Sequence, residues 1–415
     1  MMKVKYLIVG AGVSGISSAA FLGKDEDYLI LEKSPSVGGY CKTIKKDGFI
    51  WDYSGHFFHF NNDVIKDFVL KNIDSELLKI KKKTGICYQE DIISFPFQSN
   101  IDELPKKEFI ECLYDLYFKE EKETYSDFLD WLYGSLGKSI TNKFIKPYNE
   151  KLYACELSEL DVNAMGRFFP KTTFEGILSG LKHKNFESYN DNFIYPKGGA
   201  IEYIYSIMDY VDESKIKLNS SVKSIDIKNK IALTDFGEIV YEHIISTIPF
   251  KTLLNITNTP YNKEIYNNNK VLVFNLGFDK KSLLDYHWLY VPSEKINFYR
   301  VGFYSNILEE DRMSLYVEIG LKSDQPFEVM EEKEKVLNGL KELGIITNHN
   351  LVSSTEIVMN PAYVHINKDS IIDVDNKIKY FKSKNLYSIG RYGEWTYCSI
   401  EDNIISAKNI IDDIR

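Results

Sequence analysis

Gly10-x-Gly12-x-x-Gly15 constrains this chain more than any other feature. It lies between the apolar run Lys5–Val9 and an alanine- and serine-rich stretch ending near Gly23. A short apolar run followed by that composition predicts a buried parallel strand feeding a helix. The glycines permit the tight turn and let backbone N–H groups approach a pyrophosphate. They also allow close helix–sheet packing, with the helix N-terminus facing the anion. Tyr28–Leu31 reads as the next strand, and Glu32 ends it, placed to accept hydrogen bonds from a ribose diol. Ser34-Pro-Ser-Val-Gly38-Gly39 adds a second glycine turn. The uncharged run Tyr6–Gly23 is thus a nucleotide-binding turn, not a membrane span: it carries Gly10, Gly12, Gly15 and Gly23 plus Ser14, Ser17 and Ser18.

At 415 residues the chain exceeds the size at which one core stops growing. Its 44% hydrophobic and 14% aromatic content suffices for large cores. The pattern predicts an α/β protein: a discontinuous Rossmann-type domain, a helical domain and an antiparallel β-sheet substrate domain. The first takes residues 1–80, 190–250 and 370–415, because strand–helix signals recur at both ends and in the middle. The second takes 100–185, within a mostly helical pattern running from Asp63 to Phe186. The third takes 80–100 and 255–368, where apolar and polar residues alternate. With 51 basic against 60 acidic side chains the net charge is −9, and no basic stripe suits nucleic acid. Five scattered cysteines without a CxxC pair read as reduced thiols with no zinc site, which predicts a cytoplasmic protein with no membrane partner. Only five basic residues are arginine (Arg167, Arg300, Arg312, Arg391 and Arg415), the residue that a bidentate fork on an anion requires.

The two glycine turns and Glu32 resemble the start of FAD proteins with two dinucleotide-binding motifs, the amine oxidase, carotene desaturase and sugar mutase superfamily. Leu218-Asn-Ser-Ser-Val222 resembles the strand whose backbone meets the adenine, and Ile245–Pro249 the strand that re-enters the cofactor domain. Gly390-Arg391 resembles the C-terminal flavin turn. The resemblance assigns FAD to Gly10, Gly12, Ser14, Gly15, Glu32, Lys33, Gly38, Gly39, Tyr40, Gly55, His56, Val222, Gly390, Arg391, Asp402 and Asn403.

Within that superfamily, Asp52-Tyr-Ser-Gly55-His56-Phe-Phe-His59 resembles the histidine loop of UDP-galactopyranose mutases. Phe144–Tyr153 resembles their nucleotide-base segment, with Asn149 matched and Tyr153 where tryptophan is usual. Gly166-Arg167 and Phe298-Tyr-Arg300, the latter followed by Ser305-Asn306, resemble the two diphosphate arginines. Tyr363 and Tyr397 match tyrosines on the phosphate side. The family implies His56, Arg167 and Arg300 as catalytic residues. It implies Asn149, Tyr153, Arg167, Arg300, Asn306, Tyr363 and Tyr397 as substrate contacts. His59 reads as a packing residue. Ile307 replaces a tyrosine of some relatives, and Cys398–Asp402 follows neither main branch, which leaves sugar and base open.

These residues imply an isomerase that interconverts pyranose and furanose forms of UDP-galactose or a related sugar nucleotide, through a bond between reduced flavin N5 and the sugar. No Ser/His/Asp or metal-ligand cluster is evident, which fits cofactor-borne chemistry. The same resemblance implies NAD(P)H or another reductant, leaves room for a homodimer, and connects the product to galactofuranose for cell-surface polysaccharide. The alternative is an FAD-dependent oxidase or desaturase of the amine oxidase or protoporphyrinogen oxidase type, which shares the glycine signature but needs no pair of diphosphate arginines.

Overall fold

The computed structural model describes residues 2–169, 174–182 and 192–415. Its first sheet is built around Met2–Val9. That strand lies parallel between Gly237–Ser246 on one side and Tyr28–Leu31 on the other. Ile216–Lys217 extends the sheet beyond Tyr28–Leu31, and Leu386–Ser388 pairs in parallel with Ile244–Ser246. Val222–Asp226 and Ile231–Thr234 complete it as an antiparallel flank. Tyr6, Leu7 and Ile8 are fully buried because helices cover both faces, as a parallel sheet requires. The helix Val13–Leu22 packs on the C-terminal helix Ile400–Ile414. The two ends of the chain therefore meet beside the glycine turn.

The second sheet runs in the order Leu351–Met359, Asn269–Phe278, Ser314–Lys322, Arg300–Phe303, Trp288–Tyr290, Thr84–Tyr88, Asp91–Ser94. Every pairing is antiparallel except that of Thr84–Tyr88 with Trp288–Tyr290. Period-two alternation sorts its residues. Leu272, Phe274, Leu289, Val301, Phe303, Leu315 and Val317 pack against the helix Val329–Glu342, through Val336 and Leu340. Arg300, Gly302, Tyr316 and Glu318 alternate with them and therefore face the other way, toward the first sheet. Register places Arg300 directly opposite Glu318. A Cβ on Gly302 would lie 1.9 Å from the Tyr316 ring, so only glycine lets that ring lie flat across the strand.

The expected helical stretch from Asp63 is interrupted. Leu77–Lys81, Thr84–Tyr88 and Asp91–Ser94 are strands, the first paired with Asn192–Pro196. The lysine–isoleucine alternation of Leu77–Lys81 carries a strand period that the flanking helical composition hides. The end of that stretch, at Phe186, lies outside the described residues. Beyond it, Lys106–Tyr117 and Phe128–Ile140 pack closely at Gly137, where a Cβ would sit 2.5 Å from the Asp115 carbonyl oxygen. A π-helical turn, Thr141–Ile145, joins Phe128–Ile140 to Lys146–Tyr153, and such turns recur at functional sites. The strand Arg300–Phe303 is followed at once by the short helix Tyr304–Leu308. All five cysteines are unpaired thiols. Among the described residues no helix is long and apolar enough to cross a membrane.

Candidate functional site

A cleft of about 650 Å³ opens where the glycine turn, the second sheet and the helical segment meet. At its floor, Gly10 sits at φ +103, and a Cβ on Gly15 would lie 1.9 Å from the Gly10 carbonyl oxygen. Those two glycines bring the helix onto the strand. Gly12 and Gly39 line the cleft facing each other, and a Cβ on Gly39 would come within 3.2 Å of Gly12 Cα. No side chain caps the helix at Gly12, so its first N–H groups are left for a ligand. This cradle fits a dinucleotide pyrophosphate. Glu32 receives the Ala11 and Ser34 N–H groups, each at 2.8 Å, and still lines the cleft with Lys33, Gly38 and Tyr40.

The C-terminal turn closes this floor. Asn403 Oδ1 accepts from Ser14 Oγ at 3.0 Å and from the Arg391 N–H at 2.8 Å. Gly390, behind the cleft wall at φ +84, leaves room for Ser14 Oγ, which a Cβ would meet at 2.4 Å. Val222 is not among the lining residues. The backbone approaches Glu32 and Ser34 through Ser220 and Asn219, and the strand then turns away to pair with Thr234.

The wall opposite the cradle is cationic and aromatic. Arg300 lines the cleft and donates to Glu318 through Nε and Nη2, at 2.5 and 2.9 Å. Glu318 is 1% exposed, and Ser54 Oγ also donates to it. Arg391 lies 4.4 Å from the Tyr397 ring and 5.2 Å from that of Tyr363, whose rings stack at 5.9 Å. Tyr153 is buried behind Tyr363, edge-on at 5.5 Å, instead of lining the cleft.

Asp52 anchors the histidine loop through Thr43 Oγ1, the Tyr195 hydroxyl and the Ala200 N–H; burial pushes its carboxyl up to about 6. Gly55 and His56 follow in the cleft wall, with His56 Nδ1 3.1 Å from the Ser54 carbonyl oxygen. Desolvation lowers the His56 pKa to about 4, with nearby Arg391 and Arg300 adding to the fall and Glu318 opposing it. The imidazole is therefore neutral near pH 7. Because protonation favours the unfolded chain, the contribution of His56 to stability is complete above its ordinary value near 6.5. It is lost as pH falls from there toward 4. A proton NMR titration of the His56 ring should show a midpoint near 4; a midpoint at 6.5 would mean an open, solvated imidazole. His59 also lines the cleft, its ring bonded to the Asn192 carbonyl oxygen. Cys41 and Cys398 line it too, but burial pushes both thiols up to about 12, so neither supplies a thiolate at neutral pH.

Arg167 stands at the rim, its side chain 51% exposed, bonded through Nη2 to both oxygens of Asp402 at 2.7 and 2.8 Å. Asp402 itself caps the last helix with Ser399 and does not line the cleft. Asn149 lines the far end beside Phe144 and Tyr148; its Nδ2 donates to the Ile145 carbonyl, while its buried Oδ1 has no partner among the described residues. Asn306 is elsewhere: its amide donates to the Leu284 and Tyr286 carbonyl oxygens, holding a loop behind the sheet. Sequence reasoning missed Glu318, Ser54 and Tyr316. The alternation Leu315-Tyr-Val-Glu318-Ile could have flagged a charge on the face opposite Leu315 and Val317.

A family model for NAD(P)-binding Rossmann-like domains matches residues 8–71. A crystal structure of reduced UDP-galactopyranose mutase superposes with a TM-score of 0.92 at 21% identity, covering 100% of this chain and 94% of that one. The two chains share one fold over nearly their whole length. Cyclohexylamine oxidase from Brevibacterium oxydans shares it at a TM-score of 0.70 and 13% identity, covering 99% of this chain and 98% of that one. Coproporphyrinogen III oxidase of Staphylococcus aureus is 23% identical over 294 residues, 61% of this chain. The match spans 62% of that relative's length. The shared fold and the Rossmann-like segment both contain the glycine turn at the floor of the cleft. They agree with the expected α/β architecture of a dinucleotide-binding sheet joined to a second, largely antiparallel one.

Proposed function

We propose that this chain is a flavin-dependent mutase that interconverts the pyranose and furanose forms of UDP-galactose or a related sugar nucleotide. The observation that carries the reading is the shared cleft: Arg167, Arg300 and Arg391 face the same space as the glycine cradle and His56. In this reading Gly12, Gly39, Glu32 and Asn403 would hold FAD, and Gly55 and His56 would be the residues that meet its reactive part. Bound and reduced, a flavin supplies the nucleophilic N5 that opening an anomeric bond requires. The remaining work belongs to the protein. Arg300 and Arg167 hold the departing diphosphate within return distance, and the tyrosine wall shields it from water. Phe144, Tyr148 and Asn149 Oδ1 receive the base. The cofactor-binding part draws on residues 1–80, 190–250 and 370–415. NAD(P)H or another reductant primes the enzyme, which works in the cytoplasm.

Arg167 offers a clean test because its exposed ion pair adds little to stability. Arg167→Ala should fold normally yet weaken UDP binding to the flavin-loaded enzyme by about 1.5–3 kcal/mol, the value of hydrogen bonds to a charged group. Arg312 lies over the Phe49 ring at 4.2 Å, outside the cleft, so Arg312→Ala should leave the same calorimetric titration unchanged. Equal affinities for wild type and Arg167→Ala would remove Arg167 from the diphosphate site. The second reading, a substrate-oxidising flavoenzyme, is favoured by the Staphylococcus aureus relative. Electron accounting separates the two.

A further inference from the structure

Ser54 is bonded in two directions at once. Its Oγ donates to Glu318, which in turn grips Arg300 through both carboxylate oxygens. Its carbonyl oxygen accepts from the His56 N–H at 2.7 Å, faces His56 Nδ1 at 3.1 Å and accepts from the Tyr304 hydroxyl at 3.0 Å. The imidazole therefore donates from Nδ1 and keeps Nε2 free as an acceptor. Ser54 and Glu318 are both buried, and a Cβ on Gly55 would lie 2.5 Å from the Tyr316 hydroxyl oxygen. The loop has no slack on that side. We propose that Ser54 is a positioning residue that couples the Arg300 guanidinium to the His56 imidazole. An anion bound at Arg300 is thereby registered at His56.

An anion that draws Arg300 toward the cleft moves the carboxylate bonded to it. Glu318 then pulls on Ser54 Oγ, and the Ser54 peptide carries the His56 ring by its Nδ1 contact. Packed, hydrogen-bonded groups of this kind transmit small shifts because they are not continuously deformable. The inference rests on the diphosphate role proposed for Arg300.

The test uses flavin-loaded enzyme with isotope-labelled histidine and UDP as the probe. In the wild type, saturating UDP should shift the His56 ring resonances. In Ser54→Ala, UDP should still bind within about tenfold of wild type, the loss of roughly one charge-assisted hydrogen bond at Glu318. There the His56 shift should fall below half its wild-type size. Ser54→Thr, which keeps the hydroxyl, should restore it. Ser54→Cys, nearly isosteric with a weak donor, should behave like alanine and serves if the alanine variant fails to fold. A full-sized His56 shift in Ser54→Ala or Ser54→Cys overturns the coupling while leaving the diphosphate site intact. Absence of UDP binding to the wild type overturns the diphosphate reading, and the coupling with it.

Discussion

Arg300→Ala should lower the unfolding free energy by about 3–5 kcal/mol, the cost of stripping one partner from a buried ion pair. Glu318 is 1% exposed and would keep only Ser54 Oγ as a donor, too little to stabilise a carboxylate away from water. The same change removes the buried arginine that faces the cleft from the second sheet, so UDP affinity should fall together with stability. The two effects separate in a double variant. Replacing Arg300 by Met and Glu318 by Leu removes both charges at similar volume and should recover most of the stability, because well-packed apolar groups often replace a buried pair at little cost. UDP binding should not recover. Urea unfolding and calorimetry on the three proteins measure both quantities. A single Arg300→Ala variant as stable as wild type would mean that Glu318 reaches water, contrary to its burial.

The dinucleotide-binding part was legible because its chemistry is local. Gly10, Gly12, Gly15 and Glu32 lie within one strand–helix–strand unit, where Gly10 answers to a backbone angle and Gly15 to a clash. The cationic wall was legible only in part. Arg300 stands out as one of five arginines, whereas Glu318 looks like one acidic residue among many. Strand register makes Glu318 matter, by placing it opposite Arg300, and register between Arg300–Phe303 and Ser314–Lys322 is a tertiary fact. The resemblance to the mutase segments implied Tyr153 and Asn306 as site residues. The structure puts Tyr153 behind Tyr363 and turns Asn306 onto loop carbonyls, because the short helix after Phe303 rotates it away. The strand Leu77–Lys81 was obscured because lysine-rich alternation on its two-stranded sheet resembles the polar face of a helix.

Redox dependence carries the largest effect of all, because it is all-or-none. Ring contraction leaves the sugar at the same oxidation level, so a mutase consumes no electrons per turnover. It nevertheless needs the electron-rich form of its cofactor, since oxidised flavin is an electrophile and cannot open an anomeric bond as a nucleophile. Protein purified in air should therefore be inactive until reduced by dithionite or a nicotinamide. An oxidase with this fold does the reverse: it starts oxidised and uses one acceptor per substrate. The deciding measurement is anaerobic incubation of pre-reduced enzyme with UDP-, dTDP- and GDP-sugars, followed by chromatographic separation of pyranose and furanose forms. The account predicts that at least one sugar nucleotide is interconverted over many turnovers with no further reductant, and not at all by oxidised enzyme. Failure of reduced enzyme on every sugar nucleotide, with bleaching of the oxidised flavin by an amine, alcohol or porphyrinogen, would contradict it.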